Sequence, residues 1–257
     1  MALRAVIFDM GETLLHYHPP DADPKQGWKA MESLGADAMR RYLQERGYSV
    51  PPEDEARSRN FAVMEYYWRQ IGQEKTVNPQ LRAMLRDVLV SWGLPDEALQ
   101  DGLLDDVMTV YVAPVQAYVR PVEGAAETLA ALQQQGYRLG LFSNTVWPGA
   151  FHQEDLARWG LADYLACAFF SADVGVWKPA PRAFLTVLET LDTAPEDALY
   201  IGDHPYFDVY GAQRAGLRGV WKRSDEWDPR QMQGLEITPD ATVERLPELL
   251  EVVASWR

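Results

Sequence analysis

Two hydrophobic periods divide the chain. Residues 4–9 (RAVIFD) form a short apolar run that ends on Asp9, the pattern of a buried strand. Over the next hundred residues the apolar positions recur at three- and four-residue spacing. Segments near 26–46, 54–72, 79–92 and 95–111 carry it, most clearly in MRRYLQERGY and FAVMEYYWRQIG. No strand-like alternation interrupts them, so this block is predicted all-helical. Pro79 after Asn78 reads as a first helical residue behind a cap. Asp96 and Glu97 read as first-turn acids after Pro95.

From Pro121 onward the period switches repeatedly. EGAAETLAALQQQG predicts a helix, YRLGLFSN a strand, FHQEDLARWG a helix and LACAFFSA a strand. PRAFLTVLETL (helix), ALYIGD (strand), FDVYGAQRAG (helix), LRGVWK (strand) and VERLPELLEVVASW (helix) complete the series. Strands alternating with helices imply an α/β fold on a parallel sheet with right-handed crossovers. Proline-containing stretches flank the helical block, HYHPPDADP (16–24) before it and APVQAYVRPVEG (113–124) after it. Paired connectors around a helix-only block mark an insertion. The expected division is 1–16 with 121–257 as the core, and 17–120 as a helical domain with its connectors.

Composition narrows the function. The chain has 257 residues, 47% of them hydrophobic, enough for a substantial core. A formal charge of −14 argues against nucleic acid and anionic membranes as partners, because phosphate surfaces would be repelled. A small anionic substrate stays compatible with it, since local fields can oppose the net charge. The single cysteine, Cys167, cannot form a disulfide within the chain, and its apolar surroundings predict a buried, inert thiol. No apolar run reaches membrane-spanning length and no signal-peptide pattern opens the chain, so a cytoplasmic protein is expected. Tyr66, Tyr67 and Trp68 are expected to pack among the helices of the insert. Trp147 and Trp177 are placed either at a pocket wall or in packing.

In parallel sheets, ligands bind at the carboxyl ends of strands. Asp9 ends the first strand; Ser143, with Asn144 and Thr145, ends the second. Asp203 ends ALYIG, Asp208 follows in the next helix, and Lys178 stands before Pro179 and Pro181. Singly, each has an ordinary reading: a helix cap, a turn, a solvated lysine. Together they form a coherent set. Carboxylates with oxygen-only donors suit Mg²⁺, a hydroxyl and helix N-terminal amides suit phosphate, and a carboxylate can itself be a nucleophile. Metal-assisted phosphoryl transfer through a covalent intermediate follows.

The sequence resembles the haloacid dehalogenase superfamily of hydrolases through four ordered motifs: FDMGET, LFSN, WKPAP and GDHPYFD. The resemblance covers the whole chain. It implies a Rossmann-like three-layer parallel-sheet core with an inserted all-helical cap domain, the cap lying between the first two motifs. It implies that Asp9 is the nucleophile and that Mg²⁺ is held by Asp9, the Gly11 carbonyl and Asp203, with Asp208 in support. Ser143, Asn144 and Lys178 would bind the phosphoryl group, and Lys178 would also orient Asp9. The expected partner is a small phosphorylated metabolite, acted on by a monomer or homodimer.

One position departs. Family phosphatases carry an acid/base aspartate two residues after the nucleophile, and here that residue is Gly11. General acid–base catalysis contributes on the order of 10²–10⁴-fold. Glu12, His16 or no group at all stands in for it; His18 is read as solvated and His204 as shaping its loop. The missing acid also leaves two alternatives: 2-haloacid dehalogenation, which needs no metal, and a phosphate-binding regulatory module. Lys25, Lys29 and Lys75 are available for Schiff-base chemistry, with nothing in the sequence to desolvate them.

Overall fold

A computed structural model describes residues 3–23, 26–71, 79–224 and 234–256. The chain forms two compact units, Tyr17–Val119 and Met1–His16 with Arg120–Arg257.

The first unit is helical, with α1 (Gly27–Glu45), α2 (Glu53–Ile71), α3 (Leu81–Ser91) and α4 (Asp101–Gln116). The periodic apolar positions become its core: in α3, Leu81, Met84, Leu85, Val88 and Leu89 are buried along one stripe. Glu53, Asp54 and Glu55 in the first turn of α2 complement its positive dipole end. α1 packs on α4. At Gly35 a Cβ would come within 2.6 Å of the Tyr111 ring, so this approach requires glycine.

Four expectations change here. α3 begins at Leu81, so Pro79 lies ahead of the helix, while the Asn78 cap lies outside the described residues, as do Lys25 and Lys75. Asp96 and Glu97 belong to a separate 3-10 turn, and α4 continues through Pro114 to Gln116 rather than yielding a connector at 113. Tyr66 and Trp68 do not pack inside; they are 60% and 40% exposed.

The second unit is built on strands β1 (Ala5–Phe8), β4 (Arg138–Ser143), β5 (Cys167–Phe170), β6 (Ala198–Gly202), β7 (Arg218–Lys222) and β8 (Ala241–Val243). Their order is β5-β4-β1-β6-β7-β8, all parallel. A two-residue antiparallel pair, β2 (Leu15–His16) with β3 (Arg120–Pro121), stands apart from that sheet. The helices are α5 (Ala125–Gln134), α6 (Gly149–Arg158), α7 (Ser171–Val174), α8 (Pro181–Thr190), α9 (Gly211–Arg214) and α10 (Leu249–Ser255). Side chains of α8 and α9 join Ala5, Ile7, Phe142 and Tyr200 in one buried cluster on one face of the sheet. The closing segment read as a single helix divides: Ala241–Val243 pairs with β7, and α10 starts only at Leu249, after a 3-10 turn that contains Pro247.

Candidate active site

Register places the functional side chains. Phe8 lies opposite Leu141 and Ile201, and Ile201 opposite Val220. Two residues further on, the same sheet face carries Ser143, Asp203 and Lys222, because side chains alternate along strands. Asp9 falls on the other face, with Ile7 and Tyr200. Its backbone N–H donates to the Ile201 carbonyl (2.8 Å), which continues the β1–β6 ladder past the strand end.

Lys178 organises this edge. It is 3% exposed, and its ammonium donates to Asp9 Oδ1 (2.7 Å), Asp208 Oδ1 (2.6 Å) and the Tyr200 hydroxyl (2.8 Å). All three donors are therefore engaged within the protein. Tyr200 in turn donates to the Phe142 carbonyl (2.6 Å). The Asn144 amide holds the lysine by its backbone, accepting from Lys178 N–H (2.9 Å) and donating to its carbonyl (3.1 Å). In this structure Asn144 thus positions Lys178. Asp208 Oδ2 accepts from the His204 N–H (2.8 Å). A Cβ at residue 202 would lie 2.2 Å from that oxygen, so Gly202 is what lets Asp208 approach β6.

The electrostatics follow from burial. Desolvation raises the Asp9 carboxyl above its ordinary range; Lys178 opposes the rise and Asp208 adds to it. Burial works against the charge on Lys178, yet Asp208 and Asp9 raise its pKa overall. His204 is pushed down to about 3, first by burial and then by Lys178. It is therefore neutral, and its Nδ1 accepts from the Tyr206 and Phe207 amides (3.2 and 3.3 Å), capping the π-helical turn Pro205–Tyr210. That is the loop-shaping role expected of it.

Oxygens of Asp9, Asp203 and Asp208 lie within 4.8 Å of one another. Oxygen-only donors at this spacing fit a hard divalent cation such as Mg²⁺. Ser143 is buried at the end of β4, and its hydroxyl has no hydrogen-bond partner among the described residues. The loop after it is fixed by Thr145 N–H donating to Ser171 Oγ (2.8 Å) and by Thr145 Oγ1 beside His152 Nε2 (2.8 Å). His152, driven to about 3 by burial, stacks on Trp147 with ring centroids 5.4 Å apart.

After Asp9 the chain turns tightly: the amides of Thr13, Leu14 and Leu15 all donate to the Met10 carbonyl. Gly11 sits in this turn. A Cβ there would meet nothing within 4 Å, so space does not dictate the missing side chain. Glu12 adopts φ 52°, a left-handed conformation that costs a non-glycine residue of order 1–3 kcal/mol. Its carboxylate lies 2.6 Å from His16 Nδ1. Lys29 is exposed beside the Trp28 ring, far from the desolvation a Schiff-base lysine needs. Cys167 is half-buried rather than fully buried, and burial raises its thiol to about 11, which keeps it protonated.

Sequence reasoning missed Tyr200, Gly202 and Lys222. Tyr200 and Gly202 lay within an apolar strand and carried no separate signal. Lys222 did carry one: it ends the strand LRGVWK, on the same carboxyl edge as Asp9 and Asp203.

Fold and site together define an α/β protein with a buried carboxylate–lysine centre at the carboxyl edge of a parallel sheet. The haloacid dehalogenase-like hydrolase family matches residues 3–216, and the chain belongs to that family. It is 32% identical over 140 residues to a glyceraldehyde 3-phosphate phosphatase of Pyrococcus furiosus, covering 53% of this chain and 55% of that protein. The chain thus spans about half the length of the curated relatives it matches first. Over 97% of this chain and 99% of the other, it is 27% identical to a ribulose-1,5-bisphosphate 5-phosphatase of Halopiger xanaduensis. A 2-haloacid dehalogenase from Pseudomonas syringae pv. Tomato DC3000 superposes with a TM-score of 0.70 at 26% identity, covering 99% and 100% of the two chains.

Proposed function

We propose that this hydrolase is a Mg²⁺-dependent phosphatase of a small phosphorylated metabolite, working through a phospho-Asp9 intermediate in the cytoplasm. The carrying observation is the buried set in which Lys178 bridges Asp9 and Asp208 beside Asp203. Its relatives named as phosphatases of phosphorylated sugars and trioses support the substrate class.

Asp9, the Gly11 carbonyl and Asp203 would hold Mg²⁺. Asp208, with one oxygen on Lys178 and the other on the His204 amide, would support it through water. When bound, the ion supplies positive charge to the phosphoryl oxygens. Lys178 holds Asp9 Oδ1 in place, and the Ser143 hydroxyl donates to the phosphoryl group. An Asp9 oxygen attacks phosphorus, the ester P–O bond breaks, and the leaving oxygen takes a proton. Water then cleaves the acyl phosphate, releasing inorganic phosphate and restoring Asp9. The Glu12–His16 pair is the proton source we assign in place of the absent aspartate, the carboxylate orienting the imidazole. The helical unit is assigned the family's cap role of selecting the leaving group.

A phosphate-ester panel with Mg²⁺ or EDTA tests this reading. Phosphate release is expected only with Mg²⁺, and none from Asp9→Asn. Gly11→Asp, sterically admissible, is expected to raise the rate by about tenfold or more. Halide release from 2-haloacids in EDTA, without phosphate release, would support dehalogenation instead. Ester binding without turnover would support a regulatory module.

A further inference from the structure

Lys222 is 8% exposed and ends β7, beside Asp203 on the same face of the sheet. Its ammonium makes no ion pair and no hydrogen bond among the described residues. Burial lowers its pKa, while the charges of Asp203 and then Glu12 raise it, so both carboxylates are near without touching it. The stem of Lys222 is packed away while its nitrogen is not sealed from solvent, so the ammonium is open to a ligand. Lys178 offers no duplicate: it reaches Asp9 and Tyr200 on the opposite face, and its three donors are engaged.

The position of Lys222 limits what it can bind. Neighbouring strands are about 4.8 Å apart, so β7 stands roughly 10 Å from β1, whose end carries the Asp9 nucleophile. Lys222 therefore approaches the substrate from the Asp203 side of the site, across the sheet from Lys178. Divalent metal on Asp9 and Asp203 would cancel the nearest negative charge and leave Lys222 uncommitted among the described residues.

We propose that Lys222 binds a second acidic group of the substrate, so that the preferred substrates are phosphate monoesters bearing a carboxylate or a second phosphate a few bonds from the ester. This rests on the phosphatase reading and narrows its substrate class.

The test is calorimetric titration, in Mg²⁺, of the non-turning Asp9→Asn protein with phosphoglycolate and with ethyl phosphate. These two-carbon esters differ in the carboxylate. Phosphoglycolate is expected to bind at least about tenfold more tightly, in line with a charge-assisted contact. Adding Lys222→Met or Lys222→Gln is expected to bring the two affinities within about threefold, whereas Lys222→Arg retains the preference. Equal affinities with Lys222 present overturn the proposal, as does a preference that survives Lys222→Met, or no binding of either ester. The protein that keeps Lys222 decides the matter even where a substitution fails to fold. Turnover of ethyl phosphate by the unsubstituted protein is scored separately, so the phosphatase reading can stand while this inference falls.

Discussion

Each unit buries a polar cluster, and the two are built on opposite principles. In the sheet unit, Lys178 joins Asp9 and Asp208, and every donor of its ammonium has an acceptor. In the helical unit, the Glu32 carboxylate is held, among the described residues, by neutral donors, the Tyr111 hydroxyl and the Asn60 amide (3.0 Å for Asn60). That cluster ties α1, α2 and α4 together. Burial raises Glu32 above its ordinary range, against the pull of Tyr111 and Asn60, and no cation pairs with it among the described residues. In the paired cluster Lys178 opposes the rise that burial gives Asp9. The neutral-donor cluster links helices, and its charge is a liability. Buried charge is paired with a cation in one unit and links helices through neutral donors in the other.

Removing the cation should give the largest effect. Lys178→Met leaves two buried carboxylates without their partner and is expected to destabilise the sheet unit by about 3–5 kcal/mol in urea unfolding, with phosphate release abolished. A milder outcome, with activity retained, would remove the contrast between the clusters. Gly202→Ala comes next. Its Cβ would collide with the Asp208 carboxylate, so the carboxylate that Lys178 holds must shift. A loss of about 1–3 kcal/mol is expected, with reduced kcat.

Glu32 sharpens the comparison through pH. Its pKa is higher folded than unfolded, so the protonated form favours folding. That contribution is fully present below the ordinary value of 4.5 and is lost as pH rises through the folded value. Glu32→Gln is expected to remove this downward slope of stability with pH above 4.5 while leaving kcat intact. Thermal midpoints measured across that range check it. The smallest effect belongs to an exposed pair, Arg86 with Asp96, joined at 2.9 Å. Arg86→Ala is expected to leave both the unfolding midpoint and turnover unchanged within error, because exposed pairs are screened and flexible.

Much of this was legible because the chemistry sits where the strands end. FDMGET, LFSN and GDHPYFD lead to Asp9, Ser143 and Asp203 at strand ends on one sheet edge, with Asp208 in the turn that follows, and strand polarity brings such ends together, while Lys178 of WKPAP reaches them from the loop between α7 and α8. Partnership was less legible. Asn144 was read as a phosphoryl-binding residue, and nothing in its spacing showed that its side-chain amide also bonds the backbone of Lys178, 34 residues away. Tyr200 looked like core, but its hydroxyl holds the central ammonium. Neither role leaves a trace in local periodicity. Short edge elements were also hidden: three-residue β8 has too few positions to show alternation, and its neighbours carried a helical pattern. Pro114 suggested a break that α4 does not take, since a single lost amide bond is tolerated near a helix end.

Gly11 is the position that most shapes the expected kinetics. Without an aspartate there, hydrolysis of the acyl phosphate should be slow, and the intermediate should accumulate. Acid-quenching the protein after exposure to a phosphate ester and Mg²⁺, followed by peptide mass spectrometry, tests the central claim directly. The account predicts one phosphoryl group on Asp9, removed by hydroxylamine and absent from Asp9→Asn. Phosphate release that continues in Asp9→Asn, with no phosphoryl group on Asp9 at any time, would contradict it.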